Sequence, residues 1–187
     1  MGDLDLARAA LRARQGAGAR YEAATAPAQE LALARLGAAY FARKLNELSD
    51  AELAMPSARP GWTRARVAAS VALQAREIAQ AIEDALGLES DERAETDRAA
   101  LDLAETLPPR ALRHLCAHAD VHLAVVWRDV PEAGWAGQVA LARGTTDICA
   151  TPRQRAIALW AGALALGNGG RLRDVPQDLR DELAKQD

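Results

Sequence analysis

The side chains best suited to acid–base or metal chemistry lie in one stretch, "RHLCAHADVH", which holds His114, His118 and His122. Their spacing is i, i+4, i+8, so on a helix they form one stripe. Imidazole titrates near neutral pH, which suits a general acid or base, and an i, i+4 histidine pair is a common metal-ligand spacing. The outer two stand about 12 Å apart along a helix axis, too far to share one ion. A metal site would therefore use two histidines and a carboxylate or thiol from another helix. The plainer alternative is a stripe inside or at the rim of a helical core, bonded to carboxylates and backbone. Cys116 lies about 200° round that helix from His118. It reads as a small buried side chain and does not join the stripe. Cys149 sits near a turn, with nothing beside it to activate a thiol.

A second set of candidates is polar but less reactive. Arginine grips carboxylates bidentately. Arg155 could thus hold an acidic substrate over a pocket, against the simpler reading of a surface ion pair. Ser70, Gln74 and Glu77 fall on one helical face. They make either a polar pocket wall or a hydrogen-bonded core patch. Trp62 and Trp160 read as packing anchors. "GNGG" at 167–170 is a helix stop: it follows a helix, not a strand, and no Lys-Ser/Thr comes after it.

These residues must be positioned by helices. Ala, Leu, Arg and Glu dominate the sequence, which favours helix. Residues 3–15 read as a short amphipathic helix ended by Gly16 and Gly18. Leu31, Ala34, Ala38, Phe41, Leu45 and Leu48 form an apolar stripe that predicts a first long helix over 27–48. Thr63 is an N-cap for a second over 64–86, closed by Gly87. A charged stretch turns helical from about Asp91 until Pro108 and Pro109 break it, and the histidine stretch is the third long helix. Weak alternation around Arg143-Gly144 predicts a small β-hairpin. Thr151 as cap and Pro152 in the first turn open a fourth long helix to Leu166, and "PQDLRDELAKQ" is a last short one. The fold class expected is all-α: a four-helix bundle with short extra helices and a hairpin before the last long helix. The division expected is 1–26 as an N-terminal helix and loop, and 27–187 as the bundle domain.

Two stretches carry a resemblance. In "LNELSDAELAMPSARPGWTRARVAASVA" the residues Leu48, Ser49, Asp50, Leu53, Pro60, Gly61, Trp62 and Thr63 follow a pattern of "LSD-x-x-L", a loop, then "PGWT" opening a helix. In "TPRQRAIALWAGALALGNGGRLRDVP" the residues Pro152, Arg155, Trp160, Leu166, Gly167, Asp174 and Pro176 match a second anchor. From about 29 to 187 the chain resembles the maleylpyruvate isomerase-like branch of the DinB-like four-helix bundles. The resemblance implies a divalent metal, usually zinc, held by a His on the second long helix and a Glu and a His one turn apart on the fourth. It also implies a low-molecular-weight thiol such as mycothiol, bound to the metal as thiolate, that adds to an activated C=C and turns a cis acid into a trans one. Zinc lowers a thiol's pKa and keeps a position open for it.

At the matching positions this chain has Ser70, Ala158 and Gly162, and Ala165 where a further Asp is expected. Ser, Ala and Gly cannot hold zinc usefully. No metal is therefore expected at the family positions, and no cofactor. The small residues leave two outcomes open: another helix fills the old pocket, or an apolar cavity remains for a different ligand. Lining it would be Ser70, Gln74, Ala158, Gly162, Arg155 and Trp160, with His114, His118 and His122 as the catalytic candidates. The function expected is a diverged, metal-independent isomerase or thiol transferase acting on a small acidic or unsaturated metabolite. The alternative is a non-catalytic bundle that binds a small ligand or a partner.

Charge and composition narrow the partners. Net charge is −3 with both signs interspersed, and no basic stripe points to nucleic acid. The longest apolar run, "AIALWAGALAL", is too short to span a bilayer, and the N-terminus lacks a signal-peptide pattern. Two cysteines make no disulfide framework. The expectation is a cytoplasmic protein with a small-molecule ligand, no nucleic acid and no membrane, with a homodimer left open.

Overall fold

The computed structural model describes residues 22–88 and 95–184. Four long helices form the body: α1 (Ala28–Asn46), α3 (Arg64–Ala85), α5 (Pro109–Asp129) and α6 (Thr151–Ala165). Shorter helices are α2 (Asp50–Leu53), α4 (Arg98–Glu105) and α7 (Gln177–Leu183). The helix expected over 3–15 lies outside the described residues.

Local chemistry explains most boundaries. Ser49 and Glu52 make a reciprocal capping box on α2. The Thr63 side chain accepts the Arg66 N–H and opens α3. Pro109 sits in the first turn of α5, where its missing N–H costs nothing. Two expectations need correction. Residues 95–97 are not helical, and α4 begins only at Arg98, because the Asp97 side chain caps it by accepting from Ala100 N–H. Nor does Thr151 cap α6. Its hydroxyl is buried, donating to Ile148 O and accepting from Trp127 Nε1–H, and the helix already includes it.

The hairpin forms where alternation placed it. β1 (Gln138–Leu141) pairs antiparallel with β2 (Gly144–Asp147), with Val139 opposite Thr146. It is anchored on α3: Val139 is buried, and the Ala142 N–H donates to Glu77 Oε1 at 2.6 Å.

In the bundle α1 packs chiefly on α6, and α3 on α5, while α3 and α6 also touch. Helix α1 buries Leu31, Ala34, Phe41 and Leu45, much as its stripe predicts. The α3 face is rich in small residues: Ala65, Ala68, Ala69, Ala72, Ala75 and Ala79 are buried among Val67, Ile78 and Ile82. Small side chains bury little area each but let helix axes approach, so neighbours supply the bulk. Ile148, Leu112, Leu123 and Leu159 are large, fully buried side chains of the same core.

Candidate functional site

Helix α6 shows why its middle is alanine and glycine. A Cβ at Gly162 would stand 2.6 Å from Val71 Cγ2 of α3 and 3.3 Å from Phe41 Cε2 of α1. Carbon atoms in contact need about 3.5 Å or more. One helical turn earlier the other side is also tight: a Cβ at Gly37 of α1 would meet Leu159 Cβ and Trp160 Cδ1 at 3.1 Å. Val71, Phe41 and α6 thus fill the space that a long side chain at 162 would need. Gly162 is buried, Ala158 is half-buried, and the half-buried Ser70 has its hydroxyl turned back to donate to Val67 O at 2.8 Å. If the family's ligand positions fall on Ser70, Ala158 and Gly162, as the resemblance implies, these side chains offer no donor set for zinc, and a side chain at 162 would run into Val71 and Phe41. The residues present do not fit the ion.

Arg155 is neither a surface ion pair nor a guanidinium reaching over an open pocket. It is 1% exposed, among the most buried large side chains. One Nη donates to Val71 O and to Gln74 Oε1 at 3.0 Å, both on α3. The other faces Asp120 Oδ1 of α5 at 3.4 Å. Burial pushes the guanidinium below its usual range, with Asp120 working against the shift. Its Nε has no hydrogen-bond partner. Arg155 is therefore an interior tie between α3, α5 and α6. Gln74 serves that tie. Nearby Cys116 donates to Ala68 O, and burial pushes its thiol up to about 12. Cys149 is exposed. Trp160 is buried against Tyr40, with ring centroids 4.5 Å apart, as a packing anchor would be. Trp62 is only half-buried and lies beneath Arg59, whose guanidinium carbon is 3.7 Å from the ring centroid.

The histidines do stack as one stripe, with ring centroids 6.2 Å apart for His114 and His118 and 6.5 Å for His118 and His122. The stripe faces away from Gly162. His114 and His118 are exposed and line a groove of about 790 Å³ between α3, α4 and α5, together with Arg76 and Leu73. None of Ser70, Gln74, Arg155, Ala158, Trp160 or Gly162 lines it. His122 is engaged instead with Glu83 of α3, Nε2 to Oε1 at 2.8 Å, while the buried Glu83 Oε2 has no partner. Among the described residues no group of three or more His, Cys, Asp or Glu side chains is placed to hold a metal ion.

Sequence reasoning passed over Asp120, Glu83 and Arg76. A signal existed for the first: Asp120 is four residues after Cys116, beside the buried stripe Leu112, Cys116, Ala119 and Leu123. A carboxylate at the edge of an apolar stripe calls for a buried cation. Glu83 and Arg76 stand among ordinary surface charges of a long helix, and nothing in the sequence marks them.

Comparison with known proteins settles the ancestry of this arrangement. The model of the mycothiol maleylpyruvate isomerase N-terminal domain matches residues 34–166. The chain belongs to that family. Two solved structures superpose well: the mycothiol-dependent maleylpyruvate isomerase, with a TM-score of 0.74, and a histidine-to-alanine mutant of it, with 0.75. Each is 30% identical, and the match covers 84% of this chain and 67% of theirs. No curated protein sequence matches. The helical bundle with its small hairpin is thus the family fold, as the two sequence anchors imply. No described helix is long and apolar enough to cross a membrane.

Proposed function

We propose that this family member works without zinc at the family position and binds a small acidic or unsaturated metabolite in its bundle domain, residues 27–187. The observation that carries the reading is the contact of Gly162 with Val71 and Phe41. Three changed side chains alone would leave a vacancy, which water or a neighbouring ligand could refill. A vacancy closed by two core residues cannot be refilled unless those side chains move, because protein interiors are packed near crystal density. The thiolate addition implied by the family needs an open metal position, so it has no place between α3 and α6 here.

A catalytic version of this reading rests on the His122–Glu83 pair. A carboxylate that holds one imidazole nitrogen orients the ring and leaves the other nitrogen to exchange a proton. The non-catalytic version needs only a groove. One assay separates the zinc-and-thiol chemistry from both. The purified chain is incubated with maleylpyruvate and mycothiol, with zinc or with a chelator. We expect no thiol-dependent isomerisation in either case. Isomerisation that needs zinc and stops with the chelator would contradict the proposal.

A further inference from the structure

We propose that the groove between α3, α4 and α5 is a binding site for a small aliphatic carboxylic acid, with its chain on leucines and its carboxylate on Arg76. The inference rests on the reading that the chain binds a small ligand, and adds where it binds and of what class it is. At about 790 Å³ the groove falls within the range of small-molecule sites. Its surface is mostly apolar, built on Leu73, Leu103, Leu107 and Leu115, with no Phe, Tyr or Trp ring in the lining. Leucine walls without an aromatic ring suit a flexible aliphatic body better than a flat one that would stack. Leu103 is 70% exposed, so a chain laid along the groove removes apolar surface from water.

The head-group assignment comes from Arg76. Each of the other buried or half-buried arginines among the described residues donates to a carbonyl or a carboxylate. Arg76 is half-buried at the groove and has no such partner among those residues. A guanidinium with this much surface removed from water is matched best by a bidentate carboxylate. His114 and His118 of α5 add imidazole N–H donors to the lining. Two acids also line the groove. Asp97 Oδ1 is occupied by the Ala100 N–H at 2.9 Å, and Glu95 is exposed, where water screens it. Both carboxylates keep their charge, and together they disfavour a doubly charged head group, which favours a monocarboxylate.

The test titrates the full chain with decanoate, and separately with decanol, following amide shifts by ¹H–¹⁵N NMR. Leu103→Asp and Arg76→Met are the variants; both residues are outside the core, so the fold survives. Decanoate should shift amides of α4 and of α5 around Leu115. Arg76→Met should weaken decanoate about ten- to hundredfold, the worth of a charged hydrogen-bond pair, and leave decanol unchanged. Leu103→Asp should weaken both. Decanoate affinity unchanged in Arg76→Met, or shifts confined to another face, would overturn the groove assignment while leaving ligand binding in place. No shift with either compound would overturn it as well. Failure of the zinc-free reading would register separately, as zinc-dependent isomerisation in the assay above.

Discussion

Arg155 and Asp120 form a pair whose two halves should respond very differently to removal. The guanidinium is 1% exposed, and Asp120 is the carboxylate it faces, with 38% of that side chain in solvent. Asp120→Ala strands a buried cation. Breaking a fully buried pair from one side costs about 3–5 kcal/mol. Solvent around Asp120 screens this pair, which brings the expected loss down to about 2–3 kcal/mol. Arg155→Met removes the cation itself. Three donated hydrogen bonds disappear, at about 0.5–1.5 kcal/mol each. Against that, the guanidinium no longer has to be desolvated, and methionine occupies similar volume. Asp120 can then turn to water, and Val71, in mid-helix, keeps its ladder bond. The net loss should be about 1 kcal/mol. Urea unfolding of both single variants and the double would measure this, with the slope against urea checked for constancy. Asp120→Ala should be the worse variant by about 1–2 kcal/mol, and adding Arg155→Met to it should recover stability, the signature of a coupled pair. If Arg155→Met proves the more damaging single change, or if the two add independently, the buried-cation argument is wrong.

Three further outcomes follow from the packing and the hydrogen bonds. Gly162→Ala gains about 1 kcal/mol of helix propensity but forces a methyl within 2.6 Å of Val71, an overpacking worth about 1–3 kcal/mol. Thermal unfolding should show a net loss of about 1 kcal/mol, smaller when Val71 is first cut to Ala. In the folded chain iodoacetamide should label Cys149 and spare Cys116, whose thiol is buried and pushed up to about 12; mass spectrometry of tryptic peptides reads this directly. Glu105 is shifted upward by burial but further downward by hydrogen bonds from Thr63 and Arg66, so its folded pKa lies below the ordinary carboxylate value. Its contribution is present above the unfolded value of about 4.3 and lost as pH falls through the folded one. Acid unfolding of Glu105→Gln should accordingly be shallower over that window than for the parent chain.

The long helices were legible because each advertises its ends and its buried face. Thr63 before Arg64, Pro109 and Pro152 in first turns, and glycines at 87 and 167 set boundaries within a residue or two. The hairpin was legible from Arg143-Gly144, where Gly144 has φ +121°. Other features depend on side chains meeting across helices, which no local pattern records. Arg155 reads as a surface arginine until Asp120, Gln74 and Val71 O are brought to it. The histidine stripe is plain in sequence, but its direction is set by how α4 and α5 stand on α3. Whether Gly162 opens or closes a pocket depends on Val71, ninety-one positions earlier in the chain by number, and on Phe41 from a third helix. Spacing within one helix cannot decide that.

On the proposed reading, the family's metal position between α3 and α6 is closed by packing. Diffraction at the zinc absorption edge, from crystals grown in excess zinc, tests it with spatial resolution. We expect no anomalous peak among Ser70, Ala158 and Gly162, and Val71 seated against Gly162. A zinc peak at that position, with Val71 and Phe41 swung aside, would show the site open and the reading wrong.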